Sequence, residues 1–480
     1  MGDEHTPVEQ PITNHTYDVG KDPCCQCLRP LQYEAEIVIP NIIFERGYLL
    51  RIEQGPQRND NRWGREVHVF GRLNICSSEE GTSRGSVVIK IASGDEVLTA
   101  ATRCKNTDEQ AITIGTPFAA NWWDENGLRP CVELLITVYV PRCGQIDVLD
   151  IKVANLDVSF SENLALVATQ GTFITTDYGR VYAPTRSGRR RRDPYILQSR
   201  QIFIRTSNGN VEGWFPLHQL LKIKSRSGFI AIELGLDSAD SDSATQARVL
   251  VETGSGSITI KTPSIFYAKT KTKPNNAPKF QPPARDYVVE IATTYGKIEA
   301  DIVVASRATI RSKAGDLLLR LLPVPFGAKG NGKTHLVTEL DSGDTNIILL
   351  DPSQKMDSCA ENTSSTMGLE ARRTDCSYDP GLAGLHSTHQ SAYGGIRVDY
   401  PESWTGKFIA ESLCGKITVR GVNITIVRSS AGKPRVIEGH IGSGGSAILM
   451  KSSYGNIEFY ADRRRQDASA STTKIPNEGD

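Results

Sequence analysis

The sequence predicts an all-β protein: an N-terminal β-sandwich-like domain followed by a long β-solenoid, β-helix-like, with coils of about 20 residues. Three observations carry this. From about residue 160 one short phrase recurs: a small polar residue or two, a glycine, one further residue, then an aliphatic from which apolar and polar positions alternate. The glycines of that phrase return at matching intervals. Helical periodicity is almost absent, whereas alternation of period two, as in Ile258-Thr-Ile260 and Ile396-Arg-Val398, is widespread.

The copies read Thr176-Asp-Tyr-Gly179-Arg-Val181, Ser207-Asn-Gly209-Asn-Val211, Ser227-Gly228-Phe-Ile230, Ser255-Gly256-Ser-Ile258, Thr294-Tyr-Gly296-Lys-Ile298 and Lys313-Ala-Gly315-Asp-Leu317. A less regular copy opens at Ser342-Gly343, and Tyr393-Gly394-Gly-Ile396, Cys414-Gly415-Lys-Ile417 and Tyr454-Gly455-Asn-Ile457 complete the set. Gly209, Gly228 and Gly256 are spaced by 19 and 28, and so are Gly296, Gly315 and Gly343, so a block of 87 residues is duplicated. Gly394 and Gly415, 21 apart, begin a third and more divergent copy. Each phrase gives a strand with one face in and one face out, preceded by a glycine that permits a tight corner or a positive φ. A period near 20 is too short for a βαβ unit, which needs about 30 residues or more. It suits a coil that hides its apolar face only by stacking on the next. At a rise of about 4.8 Å per coil, some 300 residues make about 13–14 coils and a rod of roughly 65 Å, fewer where loops intrude.

Residues 1–32 read as a disordered N-terminal segment and 463–480 as a disordered tail. Residues 33–160 read as the sandwich-like cap, with strand-like runs at Glu36–Ile43, Tyr48–Ile52, Glu66–Ile75, Ser86–Ile91 and Val132–Val140, entering the repeats through Ile151–Phe160. Residues 161–462 form the solenoid, interrupted by a Pro-rich polar insertion at 268–286 and a Ser/Thr/Asp-rich insertion at 351–390. A cap is expected because an open terminal coil exposes unpaired strand edges.

The 480 residues, 52.5 kDa, carry 55 Lys plus Arg against 55 Asp plus Glu, a formal charge of zero, which argues against a general polyanion or nucleic-acid binder. A mean hydropathy of −0.31 and a hydrophobic fraction of 39% fit a soluble, turn-rich chain. The opening Met-Gly-Asp-Glu-His-Thr shows no basic-then-apolar leader, and no apolar run nears the ~18 residues of a membrane helix. The expectation is a cytoplasmic protein by default, with unconventional export as the route to a surface. Ten irregularly spaced cysteines do not form the dense framework of a small secreted scaffold.

Leu134-Leu-Ile-Thr-Val-Tyr-Val-Pro141, then Ile151-Lys-Val-Ala-Asn-Leu-Asp-Val158, then the Gly-x-Ile strands, together resemble the putative-adhesin family of β-repeat domains found in fungal and bacterial proteins. The resemblance spans roughly residues 130–460. It implies a β-solenoid and carries no catalytic residues.

Several motifs bear on chemistry. Gly327-Ala-Lys-Gly-Asn-Gly332-Lys333-Thr334 matches the phosphate-loop letters, but the alternation after it predicts a strand, where phosphate binding needs a helix N-terminus. Arg189–Arg192 and Arg463–Arg465 read as solvated basic runs. Cys359, Cys376, His386 and His389 share the second insertion, at spacings that match no standard zinc site. Gly2 with Cys24, Cys25 and Cys27 forms a candidate double-lipidation signal. Trp122 and Trp123 form a candidate ligand-stacking platform. Residues expected to face outward after each glycine are Tyr182, Glu212, Ala231, Thr259, Glu299, Leu318, Arg397, Thr418 and Glu458, with no ladder of paired carboxylates.

No catalytic, cofactor-binding or metal-ligating residue is assigned, and no cofactor is expected. The sequence therefore points to a non-catalytic structural or binding protein of adhesin type, taking a glycan or protein along an elongated face. The alternatives are a carbohydrate-active β-helix enzyme, lyase or hydrolase, and a lipid-anchored intracellular scaffold.

Overall fold

The computed structural model describes residues 31–57, 65–79, 81–107, 109–117, 119–120, 130–185, 195–236, 246–262, 282–283, 285–324, 333–351, 382 and 384–461. Two long sheets, of fifteen and seventeen strands among the described residues, face each other across one continuous hydrophobic core. Each coil contributes to both sheets. The chain runs along sheet 2, turns tightly at the glycine, and returns along sheet 1, as in Gln201–Thr206 followed by Val211–Pro216, and Leu220–Ser225 followed by Ile230–Gly235. Successive coils pair in parallel and in register, Ile204 on Ile223 in sheet 2 and Val211 on Ile230 in sheet 1. The predicted solenoid is thus the observed fold.

Alternation produces the core directly. Ile151, Ile174, Ile204, Ile223, Val251, Ile291 and Ile310 stand one above another inside sheet 2. Val158, Val181, Val211, Ile230, Ile258, Ile298 and Leu317 do the same inside sheet 1. Each is at most 2% exposed, and each such burial contributes about 1.5–3 kcal/mol.

The glycines do more than turn corners. Backbone stacks on backbone there. A Cβ on Gly209 would land on the carbonyl oxygen of Gly179, one on Gly228 on that of Gly209, and one on Gly256 on that of Gly228. Only some of these glycines have φ in the left-handed region, so the common requirement is the missing side chain. Three residues before each of these glycines except Gly343, where Leu340 takes the place, a Ser or Thr points inward. The Gly209 N–H donates to Thr206 Oγ1 at 2.8 Å and the Gly228 N–H to Ser225 Oγ at 2.8 Å. Thr253 Oγ1 in turn donates to the Gly228 carbonyl in the previous coil at 3.0 Å. The recurring phrase is therefore a Ser/Thr-x-x-Gly ladder that satisfies buried backbone groups at a close coil-to-coil contact.

Chain order and stacking order part company at both ends. The described strands of 33–160 are layered as a sandwich, but apart from the short antiparallel pair Arg65–Glu66 and Ala119–Ala120 their layers are the solenoid's own two sheets. Leu49–Gln57 lies in parallel between Gly144–Val153 and Ala111–Pro117. His68–Ser77 lies in parallel between Leu156–Phe160 and Cys131–Val140. Antiparallel strands finish this end: Gly85–Ser93 and then Tyr33–Ile42 on sheet 1, and Arg103–Asn106 on sheet 2. The short helix Glu96–Ala101, N-capped by Asp95, packs beside them.

At the other end Ser446–Ser452 inserts between Leu385–Tyr393 and Gly406–Ser412, and Ile457–Ala461 inserts between Ile396–Tyr400 and Ile417–Gly421. Phe459 is locked there against Tyr400, Trp404 and Phe408. The antiparallel pair Ile424–Ser430 and Arg435–Ile441 ends sheet 2. Gly394 and Gly415, read from the sequence as consecutive, are therefore separated by the Gly455 coil. The hairpin sends the chain back, and the final coil fills the gap.

The connections are unequal. At the glycine edge they are tight turns. The segments 186–194, 237–245, 263–281, 325–332 and 352–381 all run from the end of a sheet 1 strand to the start of a sheet 2 strand.

Candidate binding surface

Trp122, Trp123, Gly2, Cys24, Cys25, Cys27, Arg189–Arg192, Arg463–Arg465, Cys359 and Cys376 lie outside the described residues. Of the phosphate-loop letters, Lys333 and Thr334 are described, and Thr334 opens the strand Thr334–Ser342, not a helix. His386 and His389 fall on the strand Leu385–Tyr393 three positions apart, hence on opposite faces of the sheet. His386 is outside, stacked on His335 at 5.7 Å between ring centroids. His389 is wholly buried, its Nδ1 2.9 Å from Thr338 Oγ1. The two cannot share a metal ion.

The outward file of sheet 1 is the one expected, with Asn346 added and Glu458 placed between Arg397 and Thr418. Glu212 and Glu299 stand three coils apart in it, about 14 Å, beyond the ~5–9.5 Å that paired glycosidase carboxylates use. Neighbouring carboxylates are held by partners: Glu299 by Lys297 at 3.3 Å, Asp301 by Arg320 at 3.3 Å, and Asp399 by Arg397 at 3.2 Å. Glu458 accepts from the Tyr460 hydroxyl at 3.0 Å.

The glycine edge has a different character. The residue just before each glycine projects from the turn. In stacking order from Gly179 these are Tyr178, Asn208, Ser227, Ser255, Tyr295, Ala314, Ser342, Tyr393, Tyr454 and Cys414. The four tyrosines are 64, 63, 61 and 58% exposed, an unusual state for rings so large. Tyr393 and Tyr454 occupy adjacent coils and stack face to face, 5.0 Å between centroids and 1° between planes.

Tyr295 and Tyr393 stand three coils apart, about 14 Å, with only Ala314 and Ser342 between them. Beside this floor lie Asp316 and Asp344, whose Oδ1 atoms accept the N–H of Asp344 at 3.0 Å and of Gly395 at 2.7 Å. Those bonds fix the carboxylates while the second oxygen of each stays available. The result is a slot walled by aromatic rungs, with oriented acceptors along one side. Such a slot can hold a ring with an apolar face and hydroxyl donors. Sequence reasoning missed it, although the Tyr-Gly pairs were on view.

Cys414 continues the edge beyond Tyr454. Cys143 and Cys414 are exposed, Cys131 is buried, and burial pushes the Cys76 thiol up to about 11 and raises Cys104 as well. Among these five, a thiol-reactive reagent at neutral pH is expected to modify Cys143 and Cys414 first, read peptide by peptide by mass spectrometry. Early modification of Cys76 would contradict the buried placement.

Among the described residues no group of three or more His, Cys, Asp or Glu is placed to hold a metal ion, and no helix is long and apolar enough to cross a membrane. The fold and this edge define a two-sheet β-solenoid with a tyrosine-bearing turn surface. No family model matches the chain, and no curated protein does. Among solved structures, a putative adhesin from Bacteroides fragilis aligns at 10% identity over 67% of this chain and all of its own, with a TM-score of 0.29. A putative adhesin from Parabacteroides distasonis aligns at 8% identity over 89% of this chain and 97% of its own, TM-score 0.25. A putative cell adhesion protein from Clostridium sporogenes aligns at 8% identity over 89% and 100%, TM-score 0.15. All three are bacterial, and at these scores they lend no residue correspondence.

Proposed function

We propose that the chain is a non-catalytic binding scaffold of adhesin type that takes a glycan on the glycine edge, in the slot between Tyr295 and Tyr393. The observation that carries the reading is the exposure of four tyrosines at one repeat position. A ring that only filled space would turn inward, and a turn that only needed solubility would carry Ser or Asn, as its neighbours do. The Tyr face offers stacking to the apolar side of a pyranose, and Asp316 and Asp344 accept from its hydroxyls. A protein ligand would use the same rings as contact anchors.

The test is a glycan array and a protein-ligand screen with the intact chain and with Tyr295→Ala/Tyr393→Ala. Both tyrosines are exposed, so the variant keeps its far-ultraviolet spectrum and melting profile. The expected result is at least a tenfold loss of binding, about 1.4 kcal/mol. Binding unchanged by the double substitution would overturn the slot. Release of reducing or unsaturated ends from a polysaccharide, abolished by one acidic substitution, would overturn the non-catalytic reading.

A further inference from the structure

A second surface lies on the outer face of sheet 2, at the end of its strands remote from the glycine edge. In-register pairing places Arg248, Val288, Arg307, His335, His386, Ala447, Lys407 and His440 in one file across successive strands. The file spans seven strand spacings, about 34 Å, and contains no carboxylate. Lys333 lies two residues before His335 on the same side and adds a further cation. Arg248, Arg307, Lys333, His335 and Lys407 are exposed.

The contrast with the same sheet nearer the glycine edge is informative. There three cations are neutralised across the coils: Lys224 pairs with Glu252, Arg311 with Glu339 at 2.7 Å, and Lys451 with Glu411 at 3.2 Å. None of Arg248, Arg307, Lys333 and Lys407 has an ion-pair partner among the described residues. Arg307 instead turns its Nε to Thr309 Oγ1 at 3.3 Å. Among the described residues, acids beside the file are Glu290 and Glu438 in the flanking file and Asp286, which accepts from Gln246 at 2.7 Å and from the Ser306 N–H at 3.2 Å. Among the described residues this file therefore sets Arg248, Arg307 and Lys407, none with an ion-pair partner, on one straight line, with Lys333 beside it.

We propose that this file binds a linear acidic polysaccharide, carboxylated or sulfated, lying along the solenoid axis. A pyranose advances by about one strand spacing per residue, so successive anionic groups meet successive rungs. Stacked His335 and His386 supply ring N–H donors in the middle of the file. A glycan is favoured over a nucleic acid because, over the rungs the basic file occupies, neither it nor the flanking Leu250, Glu290, Thr309, Val337, Thr388 and Leu449 carries a Phe, Tyr or Trp on which bases would stack; the stacked Phe173 and Phe203 continue the flanking file only beyond Arg248, past Lys222. The surface is separate from the tyrosine slot and stands or falls independently of it.

The test measures binding of polygalacturonate, heparin, neutral dextran and a single-stranded DNA of matched charge to the full chain at pH 7 over a salt series. The variant is Arg248→Ala/Arg307→Ala/Lys407→Ala, and the control is the charge-neutral Arg311→Ala/Glu339→Ala. All five side chains are on the surface, and the unfolding midpoint checks that both variants fold. The expected result is binding to an acidic polysaccharide but not to dextran. The triple variant is expected to weaken it at least tenfold and to lower the salt slope by about three, with the control unchanged. Binding that survives the triple variant, an equal loss in the control, or DNA bound more tightly than either acidic polysaccharide would overturn the proposal.

Discussion

Replacing Gly209 by alanine is expected to destabilise the protein by about 3 kcal/mol or more, read as a lowered denaturant midpoint. The new Cβ would overlap the Gly179 carbonyl, which belongs to a backbone that cannot rotate aside as a flexible side chain could. The Gly209 carbonyl also receives the next rung, because it lies where a Cβ on Gly228 would go, so a shift at one coil is passed to its neighbour. The N–H that Thr206 Oγ1 accepts would be displaced with it. Gly445→Ala is the control: no atom lies within 4 Å of its added Cβ, and the change should stay within about 0.5 kcal/mol. Equal effects at the two positions would mean that the ladder is looser than its geometry, and that these glycines serve only as turns.

A second large effect is expected on acidification. His389 sits in the inner file of sheet 2 where isoleucines stand in the earlier coils, between Thr338 and Met450. Its Nδ1 meets Thr338 Oγ1, its Nε2 lies 3.5 Å from the Tyr400 hydroxyl, and that hydroxyl is 2.7 Å from Ser387 Oγ. Burial disfavours the imidazolium and lowers the pKa from 6.5 to about 3. Between those two values the unfolded chain holds the proton and the folded chain does not. Stability is therefore complete above pH 6.5 and falls as the pH drops toward 3. At about 1.4 kcal/mol per unit, the loss by pH 5 is on the order of 2 kcal/mol. His389→Gln keeps a donor and an acceptor but cannot titrate, so its stability should decline less between pH 6.5 and 5. Identical slopes for the two proteins would remove His389 as the cause.

The residues behind these two predictions were not equally visible in the sequence. Glycine before an alternating run, with a small polar residue or two ahead of it, was plain in the letters, because strand alternation and turn chemistry are local; the inward Ser or Thr three places earlier became meaningful only when the structure bonded it to the glycine N–H. The 87-residue duplication was plain for the same reason. His389 was visible only as a histidine near a second one and two cysteines, at spacings that matched no standard zinc site, so no role was assigned to it. Only the strand's period of two shows that His386 and His389 face opposite ways.

The amino-acid sequence by itself determined that this chain is all-β, that it coils with a glycine at each tight corner, and which residues of each strand face the core. Those properties depend on neighbours within a few residues. The tertiary structure alone decided which coil lies on which. It placed 33–160 in the solenoid's own sheets and the last coil between two earlier ones. It brought Tyr393 against Tyr454, aligned Tyr295 with them along one edge, and drew Arg248, Arg307 and Lys407 into one file. The physical reason is that coil-to-coil contacts join residues separated by loops of unrelated length. Their order is set where antiparallel strands turn the chain back and cover the open edges, which no local pattern records.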